Sequence, residues 1–376
     1  MISFTKRRLI SLALCLSIAF SASMTQPWFG FFKKKKPQSG SNRVEKLPIV
    51  GGREYDIKFF GLERLHPFDS AKYGKVERFL VNKLGISKNR FVKPRMVTDQ
   101  ELLTVHTQRY LDLLKKSSTV KEVTEVPGIN WVPNFLLRRY ILNPMKLATG
   151  GTIQAVQLAL QHGWSINLGG GYHHAKTNEG GGFCFYADIP IAVKKLWLTN
   201  PNLRVMVIDL DAHQGNGHEQ VFGNDHRVKI FDMYNRDAYP RDERAKRHIT
   251  FDVPVDRGIN GDRYIQILRQ RLDSALNQLE QQKQKPDLII FNAGTDPLDG
   301  DRLGGMRVSE EKMIERDDIV FEQAKRRRIP ITYLFSGGYT SQSSRLIGRS
   351  LENVLRKHLR VRSGRRVNNV PKLFES

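Results

Sequence analysis

The chain has 376 residues, with 61 Lys and Arg against 38 Asp and Glu, a formal charge of +23, 40% hydrophobic and 26% charged residues. That balance excludes a chain disordered throughout, and 30 Gly with 16 Pro exclude a collagen-like or low-complexity one. Two cysteines cannot build a disulfide framework, so packing, with or without a metal, must hold the fold.

The N-terminus comes first in chain order. Lys6-Arg7-Arg8 precedes an apolar run from Leu9 to Phe20 and the small residues Ser21-Ala22-Ser23, the order of a secretory signal. The run is short for a membrane span, which needs about 20 apolar residues. Met24 and the segment Pro27 to Phe32 prolong its apolar character, however, ahead of Lys33 to Lys36. Residues 1–23 are therefore read as a signal peptide or membrane anchor and residues 24–46 as a basic linker, which predicts a protein exported to the periplasm or medium, or anchored through residues 9–32. Lys33 to Lys36 would favour an anionic membrane surface.

Residues 1–46 carry nine basic residues against Glu45, and residues 356–376 carry seven against Glu375, which leaves +9 for residues 47–355. The basic ends read as solvated tails. No aromatic-basic platform or groove-reading motif accompanies them, so no specific nucleic-acid partner is predicted.

Residues 47–355 have globular composition. Ser165 to Leu168 is a short apolar run that breaks into Gly169-Gly170-Gly171-Tyr172-His173-His174, where glycines open a backbone path closed to other residues and deliver two imidazoles to one rim. Arg204 to Asp209 is a second run, followed by Leu210 and Asp211-Ala212-His213-Gln214-Gly215-Asn216-Gly217. Alternation places Asp209, Asp211 and His213 on one face of an extended segment, and carboxylates ending an apolar strand are costly unless paired or bound to a cation. A helix follows, with Ile265, Leu268, Leu272, Leu276 and Leu279 at three- and four-residue steps.

The third run, Asp287 to Phe291, leads into Asn292-Ala293-Gly294-Thr295-Asp296-Pro297-Leu298-Asp299-Gly300-Asp301. Asp296 with Asp211 and His213 would make a metal site with coordination positions left open, the mark of a catalytic site. Asp299 and Asp301 read as loop or turn residues. Ser309, Glu310 and Glu311 then start a helix carrying Met313, Val320, Phe321 and Ala324, and the fourth run, Ile331 to Phe335, ends in Ser336-Gly337-Gly338-Tyr339. Alternating strands and helices predict an α/β fold, a single domain with a central parallel sheet flanked by helices, and chemistry beyond the strands' carboxyl ends. A metal, two imidazoles and a phenol on that rim suit attack of water on an amide or ester carbonyl.

These clusters resemble those of the histone deacetylase family, and their details resemble its class IV branch. The likeness extends to Leu65-His66-Pro67-Phe68-Asp69, Val105 to Leu111, Gly182 to Ile189, Asp232 to Arg236 and Gly300 to Gly305, over about residues 60 to 350. It implies an arginase/deacetylase-like domain with Zn2+ held by Asp211, His213 and Asp296, and K+ near Asp209. It further implies His174 as general base and then acid, His173 paired with Asp209 as an electrostatic partner, and Tyr339 as oxyanion donor. Phe183 would wall the tunnel for an acyl-lysine protein or peptide substrate, with Gly182 and Gly338 as adjoining substrate-binding positions. Some branches pair the second histidine with Asp, and here the position is Asn216, which orients the ring without stabilising its cation and so predicts a lowered His174 pKa.

The reading is a zinc-dependent deacylase of lysine side chains, preferring long fatty acyl groups over acetyl as the class IV branch does. Deacetylation of small amines such as acetylpolyamines would use the same site and differ at the tunnel entry. A zinc-binding interaction protein without catalysis would have lost His174 or Tyr339, and both are present.

Overall fold

The computed structural model describes residues 45–58, 69–361 and 370–374. The signal or anchor segment, nearly all of the basic linker, the Leu65 to Phe68 part of one motif, and Arg362, Arg365 and Arg366 of the tail lie outside the described residues. Among the described residues no helix is long and apolar enough to cross a membrane.

The core is a seven-stranded sheet: β1 (Ile49–Val50), β2 (Trp164–Asn167), β3 (Val205–Asp209), β4 (Val228–Asp232), β5 (Phe251–Asp252), β6 (Leu288–Asn292) and β7 (Ile331–Leu334). The strands lie in the order β1-β2-β7-β6-β3-β4-β5. Every pairing is parallel. β2, β3, β6 and β7 are the four apolar runs of the sequence, and every residue of each is buried, as a sheet covered on both faces requires. The sequence reading did not find β1, β4 and β5. Two of these are only two residues long, and Lys229 interrupts the apolar run of β4.

The longer helices are α1 (Lys72–Leu84), α2 (Ser117–Thr124), α3 (Asn143–His162), α4 (Asp188–Trp197), α5 (Asn216–Phe222), α6 (Gly261–Gln281), α7 (Glu310–Arg326) and α8 (Ser343–Lys357). α6 starts where the Asn260 side chain accepts the Arg263 N–H, and it buries the predicted stripe of Ile265, Leu268, Leu272, Leu276 and Leu279. α7 starts on Ser309, whose hydroxyl accepts the Lys312 N–H, and buries Met313, Val320, Phe321 and Ala324.

The register sets the site. Asn167 pairs with Leu334, Leu334 with Asn292, Asn292 with Asp209 and Asp209 with Asp232, so five strands end on one level row. The loops leaving that row carry His173, His174, Asp211, His213, Asp296 and Tyr339, beyond the carboxyl ends as expected for an open parallel sheet.

The tail departs from the solvated segment expected after Leu355. α8 runs on to Lys357, and His358, Leu359 and Val361 are buried. Further along, Pro371 O accepts the Trp164 indole N–H at 2.7 Å, and Leu373 is fully buried. The apolar residues scattered among the basic ones find the core, and net charge alone could not reveal that.

Candidate active site

Gly170 and Gly171 take φ of +75° and +81°, the left-handed path the glycine run was expected to supply. Asp188, in the first turn of α4, accepts the Gly171 and Tyr172 N–H groups at 2.9 and 2.8 Å and the Thr152 hydroxyl at 2.6 Å, which fixes where the two imidazoles emerge.

His173 Nδ1 donates to Asp209 Oδ2 at 2.9 Å. Burial works against its cation, but Asp209 and Asp211 outweigh burial and push the ring up to about 9. His174 Nδ1 donates to Asn216 Oδ1 at 2.9 Å, which leaves Nε2 with its lone pair. Burial and the charges of His173 and His213 hold His174 well below the ordinary imidazole range. The lowered pKa expected from Asn216 is present, but the amide bond itself works the other way, and burial with the neighbouring imidazoles is the cause. One histidine is thus poised as a cation and its neighbour as a neutral base.

The segment from Asp209 to His213 does not stay extended, as alternation assumed. The strand ends at Asp209, the Asp211 N–H turns back onto Asp209 Oδ1 at 3.1 Å, and the His213 N–H turns back onto Asp211 Oδ1 at 3.0 Å. These turns send Asp209 towards His173, and Asp211 with His213 towards Asp296. His213 Nδ1 lies 3.0 Å from Asp211 Oδ1 and 2.9 Å from Asp296 Oδ2.

The donor set fits a divalent metal. One atom from each of Asp211, His213 and Asp296 lies within 4.8 Å of the others, and all three residues are buried. Burial and the Asp211 charge push Asp296 up to about 7, because two buried carboxylates this close need a cation before both ionise. Two carboxylates and one imidazole leave a fourth position open. The space is kept by Gly337, where a Cβ would sit 2.6 Å from Asp211 Oδ2 and 2.7 Å from Asp296 Oδ2.

Tyr339 faces this group, its ring 5.9 Å from His213 and 6.0 Å from Phe183. Burial, then Asp211 and Asp296, push its phenol well above the usual range, so it stays a donor. The segment bearing it is tied down on several sides. Ser336 Oγ and Gly337 N each donate to Asp211 Oδ2 at 2.9 Å, and Lys72 Nζ donates to Ser336 O at 2.6 Å and Gly337 O at 3.0 Å. The Tyr339 N–H donates to Asp301 Oδ2 at 2.8 Å. Gly338 is buried behind the tyrosine, where a Cβ would meet Thr295 Oγ1 at 2.0 Å.

Phe183 walls the pocket mouth from a backbone φ of +66°, rare for a bulky residue, and its N–H is held by Val123 O at 3.0 Å. Gly182 before it must be glycine, because a Cβ there would approach His174 Cδ2 to 2.4 Å. Tyr239, 47% exposed, sets its ring edge-on to His174 at 4.9 Å. The pocket runs from Gly182, Phe183 and Tyr339 inward to Met145, Gly171 and Cys184.

A second buried group, Asp209, His218 and Asp232, brings its donor atoms within 4.8 Å of one another. Both His218 nitrogens, Asp232 Oδ1 and the nearby Glu219 Oε1 are buried without a hydrogen-bond partner. Orphaned polar atoms of this kind fit a cation, and the family resemblance implies K+ near Asp209.

Sequence reasoning gave no role to Asp188, Lys72 or Tyr239 and read Asp301 as a loop or turn residue within the Gly300 to Gly305 motif. Asp188 sits in the Gly182 to Ile189 motif. Lys72 and Tyr239 carried no signal.

Residues 66–356 match the family model described as histone deacetylase domain. The chain is 45% identical over 316 residues to histone deacetylase 2 of Arabidopsis thaliana, which spans 84% of this chain and 80% of that protein. It is 26% identical over 288 residues to human histone deacetylase 1, spanning 73% of this chain and 58% of that one. Among solved structures, the crystal structure of an HDAC homolog complexed with SAHA superposes with a TM-score of 0.67 at 22% identity, covering 86% of this chain and 87% of that one. The HDA15 HD domain superposes with 0.64 at 18% identity, covering 83% and 89%.

Proposed function

The chain belongs to the histone deacetylase family, and on that premise we propose that it is a zinc-dependent hydrolase of acyl-lysine side chains, of the class IV branch, preferring long fatty acyl groups to acetyl. The observation that carries this is that the group Asp211, His213 and Asp296 lies directly beside a pocket lined by His173, His174 and Tyr339. Zn2+ held by the three ligands would polarise the acyl carbonyl and lower the pKa of the attacking water. Phe183 and Tyr239 take the lysine stem between them, and Gly182 brings the backbone close to His174. His174 Nε2, neutral and fixed by Asn216, accepts the water proton and returns it to the departing amine. His173, kept cationic by Asp209, stabilises negative charge as it develops, and the Tyr339 hydroxyl donates to the carbonyl oxygen. Asp209 and Asp232 would hold K+ behind His173.

The test is a mass-spectrometric screen of the full chain on lysine peptides bearing acetyl to myristoyl groups. Release of free lysine with kcat/KM rising with chain length is expected. Faster turnover of acetyl than of myristoyl would overturn the preference, and no hydrolysis of any peptide would overturn the activity. The long-chain preference is supported by the family resemblance. Location is proposed from Lys6 to Phe32 as export or membrane anchoring, and an intact Met1 on a freely soluble cytoplasmic protein would overturn it.

A further inference from the structure

Asp301 is 3% exposed and has both carboxylate oxygens committed to backbone amides of two separate loops. Oδ1 accepts the N–H groups of Leu303 and Gly304 at 3.1 and 3.2 Å, closing the turn that follows the Asp296 loop. Oδ2 reaches across to the loop after β7 and accepts the Tyr339 N–H at 2.8 Å. The turn leans directly on the metal-ligand loop. A Cβ on Gly304 would lie 1.9 Å from Asp296 O, and Gly304 O in turn accepts the Asn235 amide at 2.8 Å. One carboxylate therefore fastens the peptide of the proposed oxyanion donor to the loop that bears a proposed metal ligand.

We infer that Asp301 is a positioning residue for Tyr339, setting the distance between the phenol and the metal ligands. The inference rests on the reading of Tyr339 as the oxyanion donor. A donor acts only from a narrow position relative to where the oxyanion forms, so an error well under 1 Å in its backbone is felt in turnover rather than in substrate binding. The anchors at Ser336 and Gly337 hold the start of the segment, and Asp301 acts on Tyr339's own peptide.

The decisive variant is Asp301→Asn in the full chain. Its amide oxygen can keep the 303–304 turn, while its NH2 is turned against the Tyr339 N–H. We expect kcat to fall at least roughly tenfold, a fraction of the hundredfold scale of an oxyanion donor, with KM within about twofold and metal content unchanged. In a Tyr339→Phe background the same substitution should change kcat by less than about twofold, because the hydroxyl it positions is gone. Equal losses in both backgrounds, or no loss in the first, would overturn the assignment. If wild type hydrolyses no acyl-lysine, the functional reading fails separately, and hydroxamate affinity decides Asp301: Asp301→Asn and Tyr339→Phe should each weaken it, and the double variant no further. Asp301→Ser guards against misfolding of the first variant, and failure of both to fold would make Asp301 a folding residue and overturn the inference.

Discussion

Two buried groups of the same residue types flank the end of β3: Asp211, His213 and Asp296 on one side, Asp209, His218 and Asp232 on the other. Each combines two carboxylates with one imidazole. The first adjoins a pocket whose mouth is formed by half-buried Phe183 and Tyr339, whereas in the second no residue is more than 1% exposed. The donor set alone therefore does not distinguish a reactive centre from a structural one. Access does, and access here comes from loops after β2 and β7, not from the strand that supplies ligands to both groups.

The strongest way to break that comparison is to remove ligands from the open group. Asp211→Ala and Asp296→Ala should each abolish bound zinc and turnover, as read by elemental analysis and peptide hydrolysis, and full zinc occupancy in either would defeat the assignment. Tyr339→Phe should keep the zinc and lose about a hundredfold in rate.

Removal of a carboxylate from the closed group should act differently. Asp232 accepts the Gly215 N–H at 2.8 Å, and burial together with Asp209 and Glu219 raises its pKa well above the usual carboxylate range. Asp232→Asn removes the carboxyl group at constant size, so bound zinc should stay and turnover should fall by less than about tenfold, because the group acts through Asp209 and His173 and touches no substrate. Loss of the zinc with Asp232→Asn would show that the two groups are one site.

The comparison also explains what the sequence made legible. Asp211, His213 and Asp296 could be found because carboxylates ending apolar strands have few structural explanations, and β2, β3, β6 and β7 could be found because double burial demands apolar runs. Lys72 acts on backbone carbonyls of a distant loop and leaves no local pattern, while Asp188 and Asp301 lie in family-like motifs whose spacing does not show their partners, the Gly171 and Tyr339 amides. The pairing of Asp232 with Asp209 depends on the register of β4, a strand whose run Lys229 interrupts. Period-two reasoning assumed that the chain stays extended through His213, whereas the strand ends at Asp209 and the backbone turns.

A subtler probe concerns the base. Asn216 Nδ2 donates to Asp242 Oδ2 at 3.2 Å while its oxygen holds His174. Asn216→Asp would set a carboxylate against each, costing stability at Asp242 and stabilising the His174 imidazolium. A base must be unprotonated to act, so a raised pKa moves the acid limb of kcat/KM to higher pH, by about one unit for a close opposite charge. An unmoved limb would remove His174 from the role of base.

The smallest expected effect tests how far the openness of the first group extends inward. Met145, near the start of α3, is buried and lines the inner pocket with Gly171 and Cys184. In the proposed reaction the lysine stem enters past Phe183, so the acyl tail must continue past the metal ligands towards Met145. Each methylene buried there contributes roughly 0.8 kcal/mol, about a fourfold gain in kcat/KM. Met145→Phe replaces a flexible thioether with a rigid ring, at an overpacking cost of roughly 1–3 kcal/mol in stability. The kcat/KM ratio of octanoyl to acetyl peptide should then fall severalfold, with acetyl turnover nearly unchanged because its single methyl stops short of residue 145. A ratio that does not move would mean that the tail takes another path and that Met145 is packing alone.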